Sequence, residues 1–309
     1  MSAPAVVVED LHVAYGRTWA LDGVDLEAAA GTTLGVLGPN GAGKTTLIRA
    51  LTTLVLPTVG RVEIAGLDVV ADATEVRRRI GMTGQYAGLD EFLTARENLE
   101  LIGRLAGLRR RARPRAEALI DRLGLHEYAS RRVGDLSGGS RRRVDLAASL
   151  VGDPAVLFLD EPTTGLDPLA RAGLWDLVDE LTTAGTTVVL TTQYLEEADR
   201  LADDIVILDR GRIAARGTPT ELKQIIGGKV VHLTVPAEQI ANLPFTPDSE
   251  RADGSRVRAS VTVADTPTAT ALVADLHRDG LEITDLDVTS PSLDDVFTHL
   301  THTTTGAPR

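Results

Sequence analysis

The 309-residue chain has no cysteine, which excludes disulfides, a thiol nucleophile and zinc–thiolate sites. Long apolar runs are missing as well. The most apolar stretches are as short as Val156-Leu157-Phe158-Leu159, far below the ~20 residues that a membrane helix needs. Work done at a membrane therefore falls to another chain. Positive charge is in deficit: 44 acidic against 32 basic residues give a formal net charge of −12. Phosphate-backbone binding leans on basic surface, so nucleic acid is not expected as a partner. The opening residues, MSAPAVVVED, lack a basic stretch followed by an apolar run, so no signal peptide is expected. There is no internal repeat and no low-complexity segment.

Hydrophobic residues make up 43% of the chain, enough for a sizeable core in one large domain or two modest ones. Residues 5–13, 20–27, 32–37 and 61–65 read as strands, and 44–54 carries apolar residues at helical spacing. From about 86 to 145 the pattern turns helical, opening on a capping box, Thr94-x-x-Glu97. The basic run Arg109–Arg115 reads as solvated surface. Strands return at 155–159, 186–191 and 204–209 around a helix near 169–183. Strands alternating with helices imply an α/β layer with parallel strands. Near 225 the organisation shifts. Gly227-Gly228 reads as a linker turn, followed by strands at 229–235, 256–263 and 281–288, a helix at 266–278 and a last helix at about 292–301. The expected division is thus 1–225, containing a helical subdomain at about 86–145, and a small α/β domain at 226–309.

Three segments carry chemistry. Gly38-Pro39-Asn40-Gly41-Ala42-Gly43-Lys44-Thr45-Thr46 follows a buried strand and opens a helix, the context of a phosphate-binding loop. Its glycines let backbone N–H groups turn toward phosphate oxygens, and the helix N-terminus adds partial positive charge. Lys44 is placed to pair with the β- and γ-phosphates, and the Thr45 hydroxyl to ligate Mg²⁺. The second segment is a strand ending in Asp160-Glu161. Asp160 is placed to hold Mg²⁺ and Glu161 to polarise water for attack on the γ-phosphate. Alone, such a strand fits structural capping better; it is the phosphate loop before it that favours the catalytic reading. The third, Leu136-Ser137-Gly138-Gly139-Ser140, can begin a helix capped by Ser137 with bare glycine amides beside it, a second anion site in the same chain. Two phosphate sites and one nucleotide loop suggest that each chain also binds the nucleotide of a twin.

With these motifs in this order, residues 5–225 resemble the ATP-binding-cassette (ABC) ATPases, a P-loop NTPase fold with a helical subdomain. The resemblance implies ATP hydrolysis with ATP and Mg²⁺ bound. It implies that Gln85 contacts Mg²⁺ and senses the γ-phosphate, beside the groove that receives a membrane subunit. It places Asp167 in the loop that bridges two copies, and it stacks Tyr15 on adenine. Two positions depart from the family pattern. Ser140 stands where glutamine is usual, and Gln193 stands where the switch histidine is usual. An amide can donate to a γ-phosphate but cannot exchange a proton near neutral pH. That concentrates the general-base role on Glu161 and makes slow hydrolysis plausible.

Thr191-Thr192-Gln193-Tyr194-Leu195-Glu196-Glu197-Ala198-Asp199, with Ser292-Leu293-Asp294-Asp295-Val296-Phe297, is similar to a narrower group, the daunorubicin/doxorubicin-resistance ATP-binding subunits of type-2 ABC exporters. That similarity implies a head-to-tail homodimer driven by ATP, a separate polytopic permease, and a peripheral place on the cytoplasmic face of the membrane. Two alternatives remain open: a transporter ATPase for another cargo (lipid, polysaccharide, peptide or ion), or a non-transport ABC ATPase.

Overall fold

The computed structural model describes residues 3–84 and 88–297. The chain divides between Arg216 and Gly217 into two compact units.

In the first unit, β1 (Val6–Tyr15) and β2 (Thr18–Ala28) form an antiparallel hairpin. Then come β3 (Thr33–Leu37), α1 (Lys44–Leu51), β4 (Val59–Ile64), β5 (Leu67–Asp68), α2 (Ala73–Arg79) and β6 (Ile80–Thr83). A helical stretch follows with α3 (Ala95–Leu105), α4 (Ala112–Arg122), α5 (His126–Ala129) and α6 (Gly138–Ser149). The unit closes with β7 (Val156–Asp160), α7 (Pro168–Thr183), β8 (Thr187–Thr192), α8 (Leu195–Leu201), β9 (Asp204–Asp209) and β10 (Arg212–Gly217).

These strands make two sheets. One has the order β2-β1-β4-β5, and the other β10-β9-β3-β8-β7-β6. Strands β9, β3, β8, β7 and β6 of the second sheet pair in parallel. The period of two along each strand sends alternate side chains to opposite faces. Val156, Phe158, Val189 and Val206 join the core that contains α1 and the first sheet. Leu157, Leu159, Val188 and Leu190 join the core of the helical stretch, α7 and α8. Both faces are covered, which is why β3, β7 and β8 read as unbroken buried runs. Truncating a fully buried side chain such as Phe158 to alanine should cost about 3–5 kcal/mol. The Thr94–Glu97 capping box forms as expected and starts α3.

In the second unit, α9 (Pro219–Ile226) is started by its own capping box, Thr218 with Glu221. Strands β11 (Lys229–Pro236), β12 (Ser249–Asp253), β13 (Arg256–Val263) and β14 (Asp285–Thr289) pair antiparallel in the order β12-β13-β11-β14. Helix α10 (Thr266–Arg278) brings Ala269 and Leu276 onto Val231, Leu233, Val235 and Ala259. The Gly227-Gly228 turn is obligatory at its second position. Gly228 has φ +66°, and a Cβ there would fall 1.9 Å from the carbonyl oxygen of Val263.

Two sequence expectations shift. The strand expected at 281–288 is observed only at Asp285–Thr289, because Leu281 and Ile283 are spent filling the core ahead of it. The last helix is present at 293–297, and the rest of its expected span lies outside the described residues.

Candidate functional site

The loop between β3 and α1 runs along the C-terminal edge of the parallel sheet, where open α/β sheets bind ligands. Its glycines are there for sterics. A Cβ on Gly38 would lie 2.3 Å from the Leu208 carbonyl oxygen, and one on Gly43, at φ +110°, 2.7 Å from that of Ala20. Gly43 is also the N-cap of α1 and offers no side chain to the first-turn amides, so these face outward for an anion. The Lys44 ammonium is 5% exposed and folds back over the loop, donating to the carbonyls of Gly38 (2.8 Å) and Pro39 (3.3 Å).

The acid pair ends the neighbouring strand but one. Asp160 is 2% exposed, and one of its oxygens accepts the Thr191 hydroxyl at 2.6 Å. Thr191 also holds the next residue: the Glu161 N–H donates to its carbonyl and hydroxyl oxygens, each at 3.1 Å. Glu161 adopts φ +49°, a left-handed conformation that costs a side-chain-bearing residue on the order of 1–3 kcal/mol. Its carboxylate lies 3.5 Å from the Lys44 ammonium. Glu161 and Lys44 line a cavity of about 550 Å³ together with Pro39, Asn40, Gly41, Gly43, Thr45 and Thr46. Every expected phosphate-loop residue but Gly38 and Ala42 lines this cavity. Those two are buried behind it. The donor set suits a magnesium–nucleotide, since Asp160 keeps a second oxygen and Thr45 its hydroxyl. Among the described residues no cluster of three or more acidic or histidine side chains could hold a metal by itself. Mg²⁺ commonly binds through one or two protein oxygens plus phosphates and water.

Of three further expected residues, two are described, and neither lines the cavity. Gln193 is exposed in the turn after β8. Tyr15, half exposed, ends β1 opposite Thr18, while the cavity's aromatic wall is Trp19. Gln85 lies outside the described residues. Trp19 and Arg210 also line the cavity, and neither they nor Thr191 were among the expected residues. The signal for Trp19 was available, as an aromatic four residues beyond Tyr15.

The signature segment starts α6 as expected. The Ser137 side chain accepts the Ser140 N–H, and the two hydroxyls share a 2.9 Å hydrogen bond. Ser140 thus reinforces the cap, and the amides of Gly138 and Gly139 are not drawn into it. The Asp167 carboxylate caps α7 by accepting the Ala170 N–H at 2.8 Å. Burial pushes the Asp145 carboxyl up to about 6, opposed by the charge of Arg142 and the N–H of Gly88. Burial also raises the Glu197 carboxyl on α8, whose Oε1 accepts the Trp175 Nε1–H at 3.2 Å.

A glycine loop cradling a buried lysine, with an acid pair two strands over and a serine-capped Gly-Gly helix start, defines a P-loop ATPase of the cassette type. A family profile described as "ABC transporter" matches residues 21–164, and one described as "ATP-binding protein DrrA1-3-like, C-terminal domain" matches 217–301. Daunorubicin resistance ATP-binding protein DrrA3 of Streptomyces coeruleorubidus is 50% identical, with 97% of each chain covered. Daunorubicin/doxorubicin resistance ATP-binding protein DrrA of Streptomyces peucetius is 46% identical over 96% of this chain and 92% of its own. Nod factor export ATP-binding protein I of Ralstonia nicotianae is 42% identical over 72% of this chain and 69% of its own. Among solved structures, an ATP-binding subunit of an ABC transporter superposes with TM-score 0.64 at 30% identity, covering 72% of this chain and 92% of that one. A dimeric cassette in a post-hydrolysis state with ADP and Pi gives 0.62 at 28%, covering 69% and 98%. The chain belongs to the ABC transporter ATP-binding family, on the branch of the daunorubicin-resistance ATP-binding proteins. It is an ATP hydrolase. No helix of the described residues is long and apolar enough to cross a membrane.

Proposed function

We propose that the chain powers an ABC exporter of drug- or antibiotic-like compounds, with two copies closing head to tail on ATP and moving a separate polytopic permease. The observation that carries the chemistry is the placement of Glu161. It is tied by Thr191 to Asp160 and faces Lys44 across the nucleotide cavity.

In this reading the loop amides of residues 38–46 and the Lys44 ammonium bind and orient the β- and γ-phosphates. Thr45, Asp160 and Gln85 hold Mg²⁺, which neutralises charge on the transferring phosphoryl group. Glu161 takes a proton from the attacking water. Gln193 donates an amide hydrogen bond to the γ-phosphate. Ser137, Gly138 and Gly139 bind the γ-phosphate of the other copy's nucleotide, and Asp167 lies along the seam between copies. Tyr15 stacks on adenine, with Trp19 as a second wall. The first compact unit, which ends at Arg216, forms the ATPase domain, with a helical subdomain at about 86–145 that meets the permease; the second unit, from Gly217, acts as a small accessory domain. The place of work is the cytoplasmic face of the membrane, held there by the permease. Export of another cargo is the second reading, favoured by the identity to a Nod factor export protein.

Affinity capture of the E161Q variant with MgATP from detergent-solubilised host membranes tests the proposal. A stoichiometric polytopic membrane protein is the expected companion. Recovery of ribosomes, of DNA-repair factors or of the ATP-bound chain alone would overturn the transport reading.

A further inference from the structure

The side chain of Arg142 reaches inward from α6 and is only 11% exposed. Its guanidinium donates through Nε to the Pro162 carbonyl at 2.9 Å. Through Nη1 it donates to the Gly84 carbonyl at 2.6 Å, and through Nη2 to the Asp160 carbonyl at 3.4 Å. Asp145, one turn along the same helix, accepts from Nη1 at 3.4 Å and so balances the buried charge. The Asp145 carboxylate in turn accepts the Gly88 N–H at 3.3 Å.

The acceptors matter more than their number. Asp160 and Pro162 flank Glu161, so one planar fork grips the backbone on both sides of a residue held at φ +49°. Thr191 grips the same residue's N–H from β8. A left-handed conformation in a side-chain-bearing residue persists only where its surroundings over-determine it, and these are the groups that do so. Gly84 and Gly88 bracket the segment that contains Gln85. A cavity of about 540 Å³ has Gly138, Arg141, Arg142 and Glu161 on its walls. The start of the signature helix and the carboxylate are thus two borders of one space, with Arg142 between them.

We infer that Arg142 is a positioning residue that ties Glu161 to the signature helix of its own chain. An anion bound at the Ser137–Gly139 end of α6 fixes that helix, and the guanidinium passes the constraint to the two peptides around Glu161. This rests on the head-to-tail dimer proposed above. There, the anion on one chain's signature is the γ-phosphate of the other chain's nucleotide. Arg142 then makes turnover at one site depend on occupancy of the other. Lysine is a poor substitute, because a single ammonium on a flexible stem cannot reproduce a planar fork of fixed donors.

The test compares wild type, R142Q and R142K in ATPase titrations, with binding of a fluorescent ATP analogue measured on each. Analogue affinity should stay within about twofold of wild type, while turnover falls at least about tenfold in R142Q and is partly restored in R142K. The ATP dependence should be sigmoidal in wild type and hyperbolic in R142Q. Wild-type-like turnover in R142Q, or reduced turnover that stays sigmoidal, overturns the role of Arg142. A hyperbolic wild type that forms no dimer with ATP overturns the dimer reading, and this inference with it. R142Q alone strands the Asp145 carboxylate. The double variant R142Q/D145N removes that charge, and the same outcomes apply to it if R142Q does not fold.

Discussion

The Lys44 ammonium lies 3.5 Å from the Glu161 carboxylate and donates to the carbonyls of Gly38 and Pro39. Phosphate and carboxylate therefore compete for one lysine. Glu161→Gln removes the competing charge and the proton acceptor together. The variant should bind ATP at least as tightly as wild type and lose about 10²–10⁴-fold in turnover. Analogue binding and phosphate release measure the two effects separately, and near-normal phosphate release would remove Glu161 from the base role.

Two glycines of the same loop should respond differently to alanine. At Gly38 the added methyl meets the Leu208 carbonyl oxygen at 2.3 Å, so the loop must move. At Gly41 the methyl meets nothing within 4 Å, and only the φ of +83° is unfavourable, worth about 1–2 kcal/mol. G38A should lose ATP binding by at least about tenfold, whereas G41A should fold and bind with a modest loss of stability. Thermal unfolding and analogue binding on the pair would check this. Equal effects would mean that steric contact with Leu208 is not what selects glycine at 38.

Position 193 separates hydrogen bonding from proton transfer. Gln193→Ala should slow hydrolysis more than Gln193→His, because histidine keeps a donor within reach of the phosphate. If neither substitution changes turnover, residue 193 does not sense the γ-phosphate.

Asp145 gives the protein a pH signature. The folded carboxyl holds its proton to about 6, against 3.8 for its ordinary value. Between those values the native state binds more protons than the unfolded chain, so this group's contribution to stability falls as pH rises from about 4 to 6. The loss is on the order of 2–3 kcal/mol, since each tenfold change in proton affinity is worth about 1.4 kcal/mol. Other carboxylates, such as Asp68, are held low by backbone N–H donors and push the opposite way. The measurement is therefore the difference in denaturation free energy between wild type and D145N across that range. A difference that does not change with pH would contradict the buried, raised carboxyl.

The phosphate loop, the acid pair and the signature were legible because each joins a residue type to a local context: buried strand, turn, helix start. The parallel sheet was legible because strand-like runs alternate with helical ones, and its central strands β3, β7 and β8 are buried throughout. What escaped the sequence depends on contacts between distant segments. Arg142 is one of three successive arginines, and only the fold reveals which of them turns inward. Thr191 looks like any strand residue until β8 is laid beside β7. Strand β12, Ser249-Glu250-Arg251-Ala252-Asp253, has no apolar alternation, and pairing with β13 alone makes it a strand. Strand β10 alternates only between exposed and half-buried positions, too weak a pattern to read.

ATP-driven closure is most directly measured by sedimentation velocity of purified E161Q with MgATP and with MgADP. A dimer is expected with ATP and a monomer with ADP, since only the γ-phosphate reaches the Ser137–Gly139 amides of the other copy. A chain saturated with ATP that stays monomeric, or one that dimerises equally with ADP, would contradict ATP-driven closure.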